Sequence, residues 1–411
     1  MENVEEYKTI KGESKQAISG PLFWILTIMY TIAYNSDFRA TSIVWYGFSV
    51  ITIGVLAYIV SAKYMHKSVG IYAVWAVAFF CYSFISGLWA QNVNAVLDMS
   101  KTLFLIFVVN ILLSFVIETK KDIKNLLLAN FLALIFYLVY ILLKIDFSQL
   151  GEDRLGVDLL GPLWNANDVG MKLCAGFALA LYFGFERKEI ALRLCFWAIG
   201  LLFAVISFYT GSRKAVLMLI GIVALFMFCY SKHKIVAIMI TLVSAIVIYL
   251  AVMNIESLYN VLGKRLESLI ANLFEDDASE GSFDTRAEMI KLGWNAFLER
   301  PIFGYGMSNF SVLWEQAAGW ATYSHNNFIE ILVNGGLVGF ILYYFIYGYI
   351  FVKLFKPAFV KRDTTAIILF TINLVLIGLQ IAVISYQQTL FNCILMFAVI
   401  YIKIGEKNEN S

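Results

Sequence analysis

Residues 214–253 read KAVLMLIGIVALFMFCYSKHKIVAIMITLVSAIVIYLAVM. Two apolar runs, 214–230 and 235–253, flank the polar turn Ser231, Lys232, His233 and Lys234. At a rise of about 1.5 Å per residue each run matches a hydrocarbon core of about 30 Å, and neither alternates as a strand would. Backbone in lipid must satisfy its own polar groups, so the stretch is read as two membrane-spanning helices joined by a tight turn.

The same rhythm extends in both directions. Apolar runs at about 20–35, 42–61, 69–89, 100–117, 125–143, 166–184 and 193–209 precede this pair, and runs at about 325–352, 364–384 and 388–403 follow it. With 61% hydrophobic and only 15% charged residues, the chain has more apolar surface than a water-soluble domain can bury. The expected fold is therefore all-α: a polytopic membrane protein of about twelve spans. Its divisions are an N-terminal tail (1–19), nine spans (20–253), a long segment (254–324), three spans (325–403) and a C-terminal tail (404–411).

Basic residues crowd into alternate connections. Lys8, Lys11, Lys15, Lys63, Lys67, Lys120, Lys121, Lys124, Arg187, Lys188, Arg193, Lys232, Lys234, Lys353, Lys356, Lys361, Arg362, Lys403 and Lys407 fall on one side. By the positive-inside rule that side is cytosolic, which puts both tails in the cytosol and the 254–324 segment outside. The N-terminal tail runs into a full-length span without a small-residue cleavage pattern, so no removable leader is expected. Cys81, Cys174, Cys195, Cys229 and Cys393 lie in or beside apolar runs with no metal-ligand spacing, and read as small core residues. There is no Walker loop, HExxH helix or nucleic-acid signature, so neither cofactor, metal nor nucleic acid is expected.

The long segment is where chemistry is expected, since connections this long between packed helices are usually functional. Within it, Arg286–Arg300 (RAEMIKLGWNAFLER) sets Ile290, Gly293, Trp294 and Phe297 against Glu288, Lys291, Asn295 and Glu299, an amphipathic helix. Thr285 to Glu288 fits a capping box, with Arg286 as the first helical residue, projecting from the buried side. A buried arginine needs an anion, either a neighbouring carboxylate such as Asp284 or Glu288 or a ligand held at the helix start.

Three outer features share its level. The turn Tyr209-Thr210-Gly211-Ser212-Arg213-Lys214 presents two cations at the bundle mouth, suited to phosphate or to snorkelling toward lipid headgroups. Ser324-His325-Asn326-Asn327 opens the tenth span: with Ser324 as cap, His325 falls in the first turn, where the dipole keeps imidazole neutral and able to accept a proton. Gly161 to Asp168 opens the sixth span with Asn165 and Asn167, and Asp168 and Lys172 stand at i, i+4. Deeper, Asn326, Glu330 and Asn334 form a polar stripe, Asn373 and Gln380 share a face of the eleventh span, and Gly335, Gly336 and Gly339 are expected to pack helices. Two arginines, a helix start and a neutral histidine suit chemistry on a phosphorylated lipid.

In these residues the chain resembles the bacterial O-antigen ligase and O-antigen polymerase superfamily of integral membrane glycosyltransferases. The resemblance runs through Asn165 and Asn167, Ser212-Arg213, Arg286 with Pro301-Ile302-Phe303-Gly304-Tyr305-Gly306, His325-Asn326-Asn327, and Gly335, Gly336 and Gly339. It covers about Leu160 to Gly339; the first five spans match in number and hydropathy only. It implies metal-independent, inverting transfer of glycan from an undecaprenyl-pyrophosphate-linked oligosaccharide to a glycan acceptor at the outer face of a bacterial cytoplasmic membrane, alongside membrane lipid, a flippase and a chain-length regulator. By position Arg213 and Arg286 would bind pyrophosphate and His325 would activate or orient the acceptor. Lys214, Asn165, Asn167, Asn326 and Arg154 are candidate substrate contacts, and Lys101 could correspond to a family lysine. The chain has Asn165-Ala166-Asn167 where the family often has Asn-Pro-Asn.

The expected activity is polymerisation of lipid-linked repeat units into a surface polysaccharide such as O-antigen, capsule or exopolysaccharide. Ligase-type transfer to lipid A core, protein or a cell-wall group is the alternative. A glycan flippase would predict internal repeats and matched broken helices, and the sequence has neither. A metal-dependent variant would draw on Asp37, and a serine protease would pair Ser212 with His325, though Arg213 and Lys214 suit anions better than peptides.

Overall fold

A computed structural model describes residues 18, 20–63, 70–268 and 281–409. The expected N-terminal tail (Ile18 excepted), Lys67, residues 269–280 of the long segment and residues 410–411 lie outside the described residues.

The chain is all-α, with no β-strand among the described residues. Its helices are α1 (Pro21–Tyr34), α2 (Ser36–Ala40), α3 (Ser42–Lys63), α4 (Ile71–Ile85), α5 (Val93–Val116), α6 (Lys120–Lys144), α7 (Ala166–Glu186) and α8 (Ile190–Phe208). They continue as α9 (Arg213–Tyr230), α10 (Lys234–Asn254), α11 (Gly281–Glu299), α12 (Phe310–Ala318), α13 (Asn327–Phe355), α14 (Thr364–Leu379) and α15 (Thr389–Glu409). Among the described residues ten helices are long and apolar enough to cross a membrane, and α1 and α14 are shorter apolar helices. Together they fall on the positions read from hydropathy.

Of those ten, α7 and α15 are the most buried. Helix α7 packs on α6, α8, α9 and α14, and α15 on α5, α6, α13 and α14. Helix α10 is the reverse case: Ile235, Met239, Ile246 and Val247 are all exposed, an apolar surface that suits lipid rather than water. Cys174, Cys229 and Cys393 are buried, and Cys81 and Cys195 are exposed on spans.

Four local features depart from the sequence reading. Helix α5 begins at Val93, capped by Asn92, whose side chain accepts from the Ala95 amide. Asn94, Asp98 and Ser100 in its first turns delay the apolar signal, which is why the span looked shorter. Helix α14 ends at Leu379, so Gln380 lies beyond it: the apolar stretch 381–384 reads as the end of the eleventh span but lies outside the helix. Helix α11 begins at Gly281, which places Thr285 inside the helix rather than at its cap. Its buried side carries Met289, Gly293 and Ala296, while Ile290 and Trp294 stay exposed.

The fourth departure is in α13. Gly336 has φ 59° and ψ −164°, outside any helical region, so it breaks the helix instead of merely allowing close packing. A break frees backbone groups that lipid cannot satisfy. The loop Pro301–Gly306 satisfies them: Leu337 N–H donates to Pro301 O (2.8 Å) and Val338 N–H to Ile302 O (3.2 Å), while Val333 O and Asn334 O accept from the Tyr305 and Gly306 amides (both 2.9 Å). Tyr82 on α4 donates to Gly335 O from the other side. The PIFGYG motif is thus the plug of a broken transmembrane helix.

Candidate active site

The N-terminal half of α13 fixes the central histidine. Asn326, not Ser324, is the N-cap, accepting from the Phe328 (3.0 Å) and Ile329 (3.2 Å) amides. The Ser324 hydroxyl instead donates to Asn326 O (2.7 Å). His325 therefore precedes the helix, with φ 55°, the left-handed region that costs a non-glycine residue about 1 kcal/mol or more. Surrounding bonds hold it there. The Ser324 amide donates to Glu330 Oε2 (2.9 Å), and Asn334 Nδ2 donates to Glu330 Oε1 (2.9 Å). On the other flank Asn327 Nδ2 donates to Gln380 Oε1 (3.0 Å) and its Oδ1 accepts from the Ser385 amide (2.8 Å). The polar stripe of α13 thus builds a support as well as lining a space.

That space is a cavity of about 730 Å³ whose wall includes Arg39, Asn165, Asn167, Asp168, Lys214, Ser308, Tyr323, His325, Glu330, Gln387 and Gln388. His325 is half-buried against the Tyr323 ring, centroids 4.2 Å apart. No described residue hydrogen-bonds its ring nitrogens. Burial, then the neighbouring Arg286 and Lys214 cations, push the imidazole down to about 4, so the ring is neutral near pH 7.

The expected cations are not equivalent. Lys214 lines the cavity and donates to Ala382 O. Arg286, half-buried near the start of α11, does not line it but acts on His325 through its charge. The Arg213 guanidinium turns toward Arg265, donating to its backbone carbonyl (3.2 Å). Arg154 donates through Nε to Thr210 O (3.1 Å) and lines a separate cavity of about 160 Å³ with Val157, Asp158, Asn165, Ala166 and Asn167. Burial, then Arg265 and Arg213, lower the Arg154 guanidinium, with Asp158 opposing.

The asparagines carry local structure as well. Asn165 caps α7, accepting from the Asn167 amide (2.9 Å), and Asn167 Oδ1 accepts from the Ser212 hydroxyl (2.7 Å), tying the α7 start to the Ser212-Arg213 turn. Besides Arg154, Arg213 and Arg286, two more expected residues do not line the large cavity. Asn326 is buried and spent on capping, and Lys101 is exposed on α5, paired with Asp98 at 2.8 Å, because that helix starts earlier than its hydropathy suggested.

Sequence reading missed Arg39, Tyr323, Gln387, Gln388 and Arg265. The Gln387-Gln388 pair was a legible signal, being polar between two apolar spans; Arg39 adjoins Asp37, which drew attention only as a carboxylate. Asp37 serves as a clasp: it accepts from Trp164 Nε1 (2.8 Å), the Tyr140 hydroxyl (2.8 Å) and Lys144. Asp168 pairs with Lys172 (2.6 Å), which also donates to Tyr34 O (2.7 Å), as the i, i+4 spacing suggested.

The fold and site define a class: an all-α polytopic membrane protein with a histidine set among cations at a polar cavity. Comparison with known proteins gives that class its relatives. A family model described as O-antigen ligase matches residues 197–344, the stretch that carries Arg213, Lys214, Arg286 and His325. The teichuronic acid biosynthesis protein TuaE of Bacillus subtilis (strain 168) is 29% identical over 174 residues. That match covers 41% of this chain and 34% of the relative's length. Both matches support the resemblance to the O-antigen ligase and polymerase superfamily.

Proposed function

We propose that the protein is a glycosyltransferase of surface-polysaccharide synthesis that lengthens a glycan carried on undecaprenyl pyrophosphate, working at the outer face of the bacterial cytoplasmic membrane with both termini in the cytosol. The observation that carries the reading is His325: neutral, in a left-handed backbone conformation, open to a cavity shared with Lys214 and within the influence of Arg286. The similarity to a family of O-antigen ligases and to a teichuronic acid biosynthesis protein supports the same substrate class.

In the reaction the acceptor hydroxyl oxygen bonds to the anomeric carbon of the donor sugar from the face opposite the leaving group. The bond from that carbon to the pyrophosphate oxygen breaks, which inverts the configuration. The hydroxyl proton passes to His325, and Lys214 and Arg286 stabilise the charge on the departing lipid pyrophosphate. Arg213 adds positive charge beside Lys214. A donor anion between Arg286 and Lys214 offsets the cations that hold the imidazole down, so donor binding makes His325 a stronger base.

Purified protein incubated with undecaprenyl-pyrophosphate-linked repeat units alone, in chelator, tests this. A ladder of longer lipid-linked glycans is expected. Unchanged substrate that reacts only once a separate acceptor is supplied would make the protein a ligase. If alanine variants of His325, Arg286 and Lys214 all keep full activity, the assignment of the site falls.

A further inference from the structure

One arginine on the wall of the large cavity has no part in the reaction proposed above. Arg39 lies exposed on α2, the five-residue helix between α1 and α3, and no described residue gives its guanidinium a hydrogen bond or an ion pair. The cations whose charge acts on the His325 ring are Arg286 and Lys214, and Arg39 is not among them. It is set apart from the group assigned to the pyrophosphate.

A helix of little more than one turn has no stability of its own, and α2 is fixed from outside. The Asn35 side chain caps it, accepting from the Asp37 (3.0 Å) and Phe38 (3.2 Å) amides. The Asp37 carboxylate accepts from Trp164 Nε1 (2.8 Å), the Tyr140 hydroxyl (2.8 Å) and Lys144, and the Phe38 ring meets Tyr140 edge-on, centroids 5.3 Å apart. The two residues before Arg39 are thus anchored to α6 and to the approach to α7, and Arg39 is held at the cavity by a fixed backbone.

The two carboxylates of the same wall are already engaged. Asp168 pairs with Lys172 (2.6 Å), and Glu330 accepts from the Ser324 amide and Asn334 Nδ2 (both 2.9 Å). The wall also offers half-used amides. Gln387 Nε2 donates to the Tyr386 hydroxyl and Gln388 Nε2 to Ile384 O (both 2.7 Å), Asn167 Oδ1 accepts from the Ser212 hydroxyl, and the other end of each amide has no partner among the described residues. Open amide donors and acceptors suit sugar hydroxyls, which both donate and accept, and a planar guanidinium suits a carboxylate through two parallel N–H···O bonds.

We propose that Arg39 is a specificity-determining residue that binds a sugar carboxylate, so that the glycan taken by the large cavity is acidic, with a uronic acid where a neutral glycan has a hexose. This rests on the transfer reaction proposed above and gives its glycan a chemical class. A uronic acid differs from the matching hexose only at C6, which is a carboxylate instead of a hydroxymethyl group. The hexose leaves the Arg39 charge to water; the uronic acid meets it.

Two probes isolate that difference: undecaprenyl-pyrophosphate-linked disaccharides whose outer sugar is glucuronic acid or glucose. Each is titrated into protein in phosphatidylcholine nanodiscs, and native mass spectrometry reads the affinity. Wild type is expected to bind the glucuronic acid probe at least tenfold more tightly than the glucose probe. Arg39→Gln is expected to bind the two alike, at the wild-type affinity for the glucose probe. Arg39→Lys, which keeps the charge without the planar fork, is expected to show a smaller preference than wild type. Equal affinities on wild type overturn the proposal, as does an Arg39→Gln protein that keeps the preference. Arg39→Gln that loses both probes, or bare undecaprenyl pyrophosphate, also overturns it, since Arg39 would then serve the fold or the pyrophosphate. In phosphatidylglycerol nanodiscs the preference is expected to persist; its disappearance there would assign Arg39 to anionic lipid headgroups and overturn the glycan assignment. Binding is read without turnover: protein that prefers the acidic probe and elongates nothing defeats the transferase reading, whereas elongation of both probes without preference defeats the role of Arg39 alone.

Discussion

Replacing Gly336 by alanine tests the idea that the break in α13 is required. At φ 59° and ψ −164° an alanine is strained by about 1–3 kcal/mol. Its Cβ would also stand 2.3 Å from Ile302 O, 2.4 Å from Ile302 C and 2.7 Å from Phe303 N, all backbone atoms of the plugging loop. Relief requires that loop to withdraw, and loss of two of its four bonds to α13 adds about 0.5–1.5 kcal/mol each. The sum is a destabilisation of about 2–6 kcal/mol, large for one methyl group. Gly348 is the internal control: it lies on the same helix with no atom within 4 Å of where an added methyl group would sit, so alanine there should be neutral or stabilising by up to about 1 kcal/mol. Denaturant titration in nanodiscs, read by tryptophan fluorescence, measures both variants; Trp89, 5.9 Å from the Phe303 ring, reports on the loop. Gly336→Ala that matches wild type within about 0.5 kcal/mol would refute the reasoning and mean that α13 can straighten at no cost.

Other expectations concern the site. With the neutral imidazole as the proposed base, protonation removes it, so kcat/KM should fall on the acid side near pH 4, and Arg286→Gln should move that limb up toward the ordinary histidine value of about 6.5; a limb that stays put excludes Arg286 as its cause. Glu330→Gln offers one acceptor oxygen where the Ser324 amide and Asn334 Nδ2 now use two, so kcat should fall at least tenfold with donor KM nearly unchanged; equal activity would deny Glu330 a part in setting His325. Asp37→Asn weakens the clasp on Lys144, Tyr140 and Trp164 and should cost about 1–3 kcal/mol by the same denaturant titration, with no loss marking the clasp as dispensable.

The spans were legible because lipid imposes length and apolar composition directly on sequence, as in 214–230 and 235–253. Where the chain stops being helical while staying apolar, that signal fails: residues 381–384 read as span, yet they lie outside the helix, and Ala382, Val383 and Ile384 form cavity wall beside Gln387 and Gln388. The capping of α13 was misplaced by two residues because Ser324 and Asn326 are both good caps, and only the tertiary bonds of Ser324 to Glu330 and Asn326 decide between them. His325 was picked out from its place in the sequence and its chemistry, and it lies on the cavity wall. Arg39 and Arg265 were not, because a lone arginine carries no periodic pattern, and the role of Gly336 depends on a loop that reaches it from about thirty residues upstream.

The same ladder gives the amides of Tyr305, Gly306, Leu337 and Val338 a shared fate in deuterated solvent. Two belong to a glycine-bearing loop and two to a transmembrane helix, but each N–H is protected by a carbonyl on the other side of the junction. One opening event should release all four, so the loop amides should exchange as slowly as the helix amides they face. Loop amides that exchange orders of magnitude faster would mean the two sides of the junction open separately.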